Sequence, residues 1–453
     1  MKQPEMWVSC IPLLLGITVI GLAAERGFTS WPAAKPILDD QHGGLPAELQ
    51  NADEGRWNAW TRRQDIAIRA RLEQGNLDSM VNLLLFGTSF TKQPRIGIQK
   101  LTEAAKNGTL RSRVDDLVAG LRNPGNNERL KFLGDVLRRK GIDPGGVTPD
   151  IGVFIYANLQ RVLQERRTLA DRALEAHPAV LLDRSSLFRD RGVSLDTAIF
   201  PDFSIEQTLR DLKNRGLLRE GQVSRVAVIG PGLDFIDKNE ESGYDYYPQQ
   251  TVQPFALYDS LLRLRLAHAR ELSLSILDIS PRVLDHVHRA RERARKNIDY
   301  VIQLPRDVTR PWPRDLMDYW RSLGDQAGAA VAPIQPPRIF EGLETRAVRI
   351  RPDVVLACEP VDLNIVLERI SLAPADRFDL VVGTNIFLYY DSFQQTLALE
   401  NIGAMIKSGG LLLTNDRLPE VPGRSMRQAG MTTVRYNEDD ARAIEAVGWY
   451  RQK

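Results

Sequence analysis

The chain has 453 residues, 43% of them hydrophobic, and its 60 basic side chains nearly balance 58 acidic ones, for a net charge of +2. A general nucleic-acid binder has a strong basic excess, so this balance argues against that class of protein. The two cysteines, Cys10 and Cys358, are too few and too far apart for a disulfide framework or a zinc site. The length suggests two or three domains.

The first segment of the chain is apolar. Met6–Ala24 carries no charge and ends in small residues suited to signal cleavage. We therefore predict that residues 1–29 are a signal peptide or a single membrane anchor, and that the protein is membrane-associated or exported. The charges on the two sides of the segment do not indicate which side of the membrane the rest of the chain occupies. Residues 30–54 contain a stretch with several Pro and Gly residues and are predicted to be a linker.

Helical periodicity dominates the next part. Residues 55–217 contain segments with apolar residues three and four positions apart, which predicts an all-α domain followed by a connector. The predicted helices are Arg56–Glu73, Asp78–Phe86, Ile96–Lys106, Leu110–Leu121, Glu128–Arg139, Phe154–Ala176 and Ile205–Leu217.

From residue 218 onward, short β-branched runs alternate with helical segments, a pattern typical of a parallel α/β sheet. The predicted strands are Arg225–Ile229, Ser273–Asp278, Ala347–Ala357, Phe378–Gly383, Leu411–Asn415, Thr432–Tyr436 and Trp449–Gln452. The predicted helices are Phe255–Ala269, Val283–Lys296, Leu363–Ile370 and Phe393–Ile406, with insertions at residues 236–254 and 304–340.

Two strand ends carry ligand-binding signals. The first strand runs into Gly230-Pro231-Gly232, where the backbone can turn sharply and approach a ligand closely, although a lone Gly-x-Gly is usually only a tight turn. The next strand ends in Asp278, placed to accept hydrogen bonds from the ribose hydroxyls of a nucleoside. The alternative for Asp278 is a helix N-cap, because Ser280-Pro281 follows. The upstream glycines favour the ribose role.

Three further motifs follow in order: ACEPVDL at 357–363, RFDLVVGTNIFLYYD at 377–391 and MIKSGGLLLTND at 405–416. With the glycine loop and Asp278, they make Ser224–Lys453 resemble the class I S-adenosylmethionine-dependent methyltransferases. The resemblance implies a Rossmann-like, seven-stranded α/β sheet that ends in an antiparallel hairpin, preceded here by the helical domain. The segment Asn385–Tyr390 also resembles the chemotaxis-receptor methyltransferases, which have a helical domain before the catalytic one.

The resemblance implies S-adenosyl-L-methionine as the cofactor and assigns it a set of residues. Gly230, Pro231 and Gly232 would surround its methionine part, with Asp234 near the ammonium group. The remaining assignments are Asp278 to the ribose, Ile279 to the adenine ring, Glu359 or Asp362 to the adenine amino group, and Gly383, Thr384 and Asn385 to the floor where the methyl group is transferred.

The candidate catalytic residues are Asn385, Tyr389 and Tyr390. A general base is needed only if the acceptor must lose a proton, and the two tyrosines could equally be packing residues at the strand-to-helix junction. The insertion at 236–254 carries Tyr244, Tyr246 and Tyr247, which would either clamp a substrate or pack on the N-terminal helices. No metal site is expected.

The predicted function is methyl transfer to an unidentified acceptor, which could be a protein, a small molecule or a lipid. Val228 stands where the family often has an acid, and Asp234 replaces the third glycine of the loop. These departures keep a second hypothesis open, a non-catalytic envelope scaffold with a degenerate methyltransferase fold. A third hypothesis, an NAD-dependent oxidoreductase, requires a third glycine where this chain has Phe235.

Overall fold

The computed structural model describes residues 25–40, 45–146, 148–175, 199–235, 244–338, 340, 342–419, 425–437 and 444–453. The predicted leader Met6–Ala24 lies outside these residues, as does the first half of the insertion at 236–254. Within the described ranges, no helix is both long enough and apolar enough to cross a membrane.

The N-terminal part is helical, as predicted. Its helices are α1 (Trp31–Asp40), α2 (Glu54–Phe86), α3 (Leu101–Lys106), α4 (Thr109–Arg122), α5 (Glu128–Arg139), α6 (Thr148–Glu175) and α7 (Ile199–Asn214). Two of them differ from expectation. The predicted linker contains α1, whose Ile37 and Leu38 are buried in the same core as Trp57 and Trp60. The two helices predicted between residues 56 and 86 are one continuous helix, because burial along α2 outweighs the helix-breaking tendency of Gly75.

Residues 225–452 contain a seven-stranded sheet with helices on both faces. Its strands are β2 (Arg225–Ile229), β3 (Ser273–Asp278), β7 (Cys358–Asp362), β9 (Phe378–Gly383), β10 (Ile406–Thr414), β11 (Met426–Arg435) and β12 (Ile444–Gln452). The spatial order is β11-β12-β10-β9-β2-β3-β7. The five strands from β10 to β7 are parallel, while β12 runs antiparallel to both β10 and β11. The predicted fold class is confirmed, including the antiparallel hairpin.

Helices cover both faces of this sheet. α7, α8 (Gln253–Arg263) and α9 (Pro281–Arg295) pack on one face, around a core that includes Val226, Val228 and Ile276. On the other face, α12 (Ser392–Met405) packs together with α1 and the first half of α2. Of the N-terminal helices, α1, the first half of α2 and α7 therefore share a core with the sheet, while α4, α5 and α6 pack in a separate cluster with the second half of α2.

Two predictions in the middle of the chain were wrong. The strand predicted at Ala347–Ala357 is instead the end of β6 (Leu343–Ile350) followed by a short helix, α11 (Pro352–Leu356), which begins where proline is well tolerated. The helix predicted at Leu363–Ile370 is instead a loop that leads into β8 (Glu368–Ile370). That strand pairs with β1 (Arg26–Phe28), a partner more than 300 residues away that local periodicity cannot reveal.

The insertion around residues 304–340 belongs to a small sheet of its own. Strands β4 (Tyr300–Asp307), β6 and β5 (Gly328–Val331) are antiparallel in the order β4-β6-β5, with α10 (Arg314–Ser322) between β4 and β5. Trp320 of α10 donates its indole N–H to the Leu304 carbonyl at 3.1 Å.

Candidate functional site

Most of the predicted site residues lie at one end of the main sheet, because the carboxyl ends of parallel strands lie together. In register, Ile229 of β2 lies beside Leu277 of β3 and Gly383 of β9, and Asp278 lies beside Asp362 of β7. The loops that follow β2 and its two neighbours, β3 and β9, therefore begin at the same end of the sheet. Doubly wound sheets bind their ligands in the crevice outside this end.

The glycine loop follows β2 in a conformation that favours glycine. Gly230 has φ 58° and Gly232 has φ 74°, and the Gly230 amide donates to the Leu277 carbonyl at 2.8 Å. A Cβ atom on Gly230 would lie 2.2 Å from Ile386 Cδ1, so the loops after β2 and β9 touch at this point. The Ile386 side chain therefore occupies the space that a side chain at residue 230 would need.

We expect Gly230→Ala to lower the free energy of unfolding by about 1–3 kcal/mol, because the new methyl group clashes with Ile386 and the positive φ disfavours a side chain. Urea denaturation of the full chain measures this. Gly97→Ala is the matched control, since Gly97 has φ −63° and open space around its Cα. Equal stabilities for the two variants would contradict the prediction.

The two carboxylate oxygens of Asp278 have different surroundings. Its Oδ1 accepts from the Ser280 amide at 2.7 Å, a bond between residues two apart that forms a turn before α9. The N-cap of α9 is Ser280, so the capping alternative for Asp278 is not observed. The Oδ2 atom of Asp278 is buried and has no partner among the described residues. Burial, with a smaller contribution from Asp362, raises the pKa of Asp278 to about 7. A buried oxygen without a donor is costly, so this atom is suited to a hydroxyl supplied by a ligand.

Of the two acids proposed for the adenine amino group, the structure brings only Asp362 to the site. It ends β7 and pairs with Arg69 of α2 at 2.8 Å. Glu359 is the second residue of the same strand, roughly 10 Å away along it, and forms an ion pair with Arg291 of α9. Of the two alternatives for the adenine amino group, this register favours Asp362.

A cavity of about 40 Å³ lies at this edge of the sheet. Its lining includes Gly230, Gly232, Asp278, Ile279, Leu363, Ile386, Tyr389 and Tyr390, with Leu72 of α2 as the one contribution from the helical part. Ligand pockets for molecules of nucleoside size have volumes of about 300 Å³ or more. A larger groove of about 970 Å³, between α2, α5 and α9, shares Leu72 and Ile279 with this cavity.

Polar contacts hold α2 over the cavity. Besides the pair between Arg69 and Asp362, Arg71 donates to the Tyr389 carbonyl and Asn364 donates to Asp65, each at 2.8 Å. A nucleoside would have the glycine loop, Ile279 and the open oxygen of Asp278 as its partners. Because the cavity is much smaller than a nucleoside, a bound nucleoside would need the residues that line it to move apart.

The other assigned residues are already engaged within the protein. Asp234 accepts from the Tyr247 hydroxyl at 2.7 Å and from Gln250 at 3.2 Å, away from the glycine loop. Tyr244, Tyr246 and Tyr247 cluster with Phe340 of the insertion, so the structure favours packing over a substrate clamp.

Tyr389 and Tyr390 are buried, and burial raises the pKa of Tyr390 to about 12. A general base works best with a pKa near the working pH, so Tyr390 is unsuited to that role and the packing alternative fits it better. Asn385 differs from both. It is exposed and has φ 57°, a conformation that is uncommon for residues other than glycine.

Several residues of the site had no assigned role in the sequence. Asn415 and Asp416, directly after β10, accept backbone hydrogen bonds from the turn that contains Asn385. Their position after a strand of the same sheet could have indicated them. Arg69 and Leu72 of α2 could not be found in this way, because helical periodicity does not show what a helix covers.

No family model matches the chain, and no curated protein matches it. Among solved structures, it is similar to the N-methyltransferase NodS from Bradyrhizobium japonicum WM9 in complex with S-adenosyl-L-homocysteine, at 12% identity and a TM-score of 0.25, covering 55% of this chain and 85% of that one. It is also similar to magnesium protoporphyrin IX methyltransferase (ChlM) from Synechocystis PCC 6803 with bound SAM, at 10% identity and a TM-score of 0.25, covering 61% of this chain and 100% of that one.

A TehB-like SAM-dependent methyltransferase from Corynebacterium glutamicum ATCC 13032 Kitasato has 11% identity, a TM-score of 0.22, and coverage of 56% of this chain and 98% of its own. At such identities and TM-scores these likenesses carry no argument about activity, and the fold class rests on the strand order. The narrower likeness to the chemotaxis-receptor methyltransferases finds no support in them.

Proposed function

We propose that residues 218–453 bind S-adenosyl-L-methionine and transfer its methyl group to an acceptor. One observation carries the proposal: the buried Oδ2 of Asp278, which lacks a partner among the described residues, ends a strand beside a loop with two glycines at positive φ. The order of the strands, with β12 antiparallel, agrees with the sheet that the sequence resemblance implies.

The cofactor supplies an already reactive methyl group, so the protein's task is to bind, orient and exclude water. Asp278 would hold the ribose hydroxyls, and the backbone of Gly230 and Gly232 would lie along the methionine part. Ile386 and Leu72, which line the cavity, would keep water out. Asp362 would accept from the adenine amino group once Arg69 moves away from it.

Isothermal titration calorimetry with S-adenosylhomocysteine tests the proposal. We expect saturable binding by the full chain and a loss of about 1–3 kcal/mol in Asp278→Ala, through loss of charge-assisted hydrogen bonds. Asp353→Ala is the control, because this exposed residue lies at the opposite end of β7. Equal affinities for the wild type and folded Asp278→Ala would show that Asp278 does not contribute to ligand binding.

A second candidate is the non-catalytic scaffold, and the cavity of about 40 Å³ favours it. The same calorimetry separates the two, if Leu72→Ala is included to enlarge the cavity. A scaffold binds no S-adenosylhomocysteine in either form. The oxidoreductase hypothesis has less support, because Phe235, at the position of the third glycine, is fully buried against Phe132.

We also propose that the protein is membrane-associated or exported through Met6–Ala24. Its support is the sequence alone, since that segment lies outside the described residues. A reporter that is active only outside the cytosol, fused to Lys453, would determine the topology. Recovery of cytosolic protein that retains Met1 would contradict the proposal.

A further inference from the structure

Two consecutive residues after β9, Thr384 and Asn385, are held by hydrogen bonds that have a defined direction. The sequence resemblance places both at the floor where the methyl group is transferred. Each is bonded to an amide side chain from another element, and behind each amide lies an acid. Whether Thr384 and Asn385 present donors or acceptors to a ligand depends on whether the oxygen or the nitrogen of each neighbouring amide faces them.

The first chain runs through Asn415. Its Nδ2 donates to Asn385 Oδ1 at 2.9 Å and to a carboxylate oxygen of Glu445, while its Oδ1 accepts from the Asn385 backbone amide at 2.7 Å. Because Asn385 Oδ1 already accepts a hydrogen bond from Asn415, the Nδ2 group is the part of the Asn385 amide left to bind a ligand. That group is exposed and has no partner among the described residues.

The second chain runs through Gln253. Its Nε2 donates to Thr384 Oγ1 at 2.8 Å, and its amide also hydrogen-bonds to Asp202. Since Thr384 Oγ1 accepts in this bond, the proton of its hydroxyl is left to donate elsewhere. Both chains thus leave a donor, an O–H on Thr384 and an N–H on Asn385.

Asp202, the buried acid behind Gln253, need not repel an anion at this position. Burial raises the pKa of Asp202 to about 8 and also raises the pKa of Glu445. A protonated carboxyl group still accepts through its carbonyl oxygen, so Asp202 can orient the Gln253 amide without carrying a charge.

We propose that Thr384 and Asn385 form a two-donor subsite that binds a carboxylate group of the methyl acceptor. Donors without a matching acceptor suit an anionic oxygen, whereas an ammonium group would need acceptors there. Glu445 and Asp202 act as positioning residues, through Asn415 and Gln253. The inference rests on the proposed methyl transfer and names the substrate class of that same site.

The test uses the full chain labelled with ¹⁵N in asparagine, and follows the Asn385 side-chain amide by NMR. Acetate should shift this signal saturably, with at least about tenfold tighter binding than methylammonium. Asn385→Ala assigns the signal. Asn297 is an internal control, because it is also exposed with φ 55°. No saturable shift with acetate, or a preference for methylammonium, would overturn the inference.

The double variant Asn415→Asp/Glu445→Gln reverses the direction of the hydrogen bonds that link residues 445, 415 and 385, while leaving the formal charge unchanged. Asp at 415 can only accept, so the Asn385 amide should turn its Nδ2 inward and present Oδ1 instead. We expect the preference to move from acetate to methylammonium, with unchanged circular dichroism. A folded double variant that keeps the acetate preference would also overturn the inference.

Two further measurements identify the source of the carboxylate and separate this inference from the proposed function. N-acetylglutamate α-methylamide mimics a protein side chain, so tighter binding than acetate indicates a protein acceptor, and weaker binding indicates a small acid. Calorimetry with S-adenosylhomocysteine measures cofactor binding, and its result does not depend on the binding of acetate or of N-acetylglutamate α-methylamide. Binding of S-adenosylhomocysteine without an acetate shift refutes only the inference. An acetate shift without S-adenosylhomocysteine binding refutes the methyl-transfer proposal, and with it the assignment of the carboxylate to a methyl acceptor.

Discussion

Arg113→Met should lower the free energy of unfolding by about 3–5 kcal/mol, because four carbonyl groups lose their donor inside the protein. The Arg113 guanidinium is fully buried. It donates to Leu84 and Gly87 at the end of α2, at 2.6 and 2.5 Å, and to Gln93 and Pro94 in the following segment, at 2.8 and 3.0 Å. These include carbonyls that the end of a helix leaves without intrahelical partners.

Urea denaturation of the full chain, with hydrogen exchange at residues 83–96 as the local measurement, checks this prediction. Arg111→Met is the matched control, because Arg111 is exposed on the same helix, and such changes usually alter stability by less than about 0.5 kcal/mol. Burial also lowers the pKa of Arg113 to about 10, so the charge is held against a desolvation cost. Equal effects of the two substitutions would mean that the four hydrogen bonds contribute nothing.

Asp278→Asn should raise the free energy of unfolding at pH 8, by up to about 4 kcal/mol, while weakening S-adenosylhomocysteine binding. Burial raises the pKa of Asp278 from 3.8 to about 7 in the folded protein. A raised folded-state pKa contributes stability that is complete below pH 4 and is lost as the pH rises through about 7. Asparagine cannot ionise, so the variant avoids that loss.

The difference in unfolding free energy between wild type and Asp278→Asn, measured from pH 4 to pH 8, checks this prediction. It should be smallest near pH 4 and grow in favour of the variant as the pH rises. Asp353→Asn is the control, because its side chain is 66% exposed. Parallel curves for wild type and Asp278→Asn would show that the carboxylate is not destabilised by its surroundings. A stabilised variant that loses ligand binding would show that Asp278 is retained for function.

Strands β2, β3 and β9 were predicted at their observed bounds, and each has apolar residues at its centre. β7 was missed, because Glu359, Pro360 and Asp362 make a five-residue strand look like a loop. Its position is fixed by pairing with β3, which brings Cys358 beside Leu274. The choice between Glu359 and Asp362 depended on this register, which composition does not contain.

The site was predictable where it follows from strand ends, and not where it depends on distant packing. Gly230, Asp278 and Asn385 could be proposed from the sequence because each ends a strand or lies within two residues of a strand end. Leu72 and Arg69 lie more than 200 residues before Asp278 along the chain, and only the tertiary fold brings α2 over the cavity. The directions of the amide chains through Asn415 and Gln253 likewise require coordinates.

The position of β12 has a consequence for synthesis on the ribosome. β12 is made after β11, yet it lies between β11 and β10, so β11 has no place in the sheet until residues 444–452 have emerged. Until then, Leu411–Leu413 of β10 form an open edge, although they are buried in the finished sheet. Open, apolar strand edges pair readily with other chains. A nascent chain in which β10 has already joined the sheet therefore exposes this apolar strand edge until β12 pairs with it.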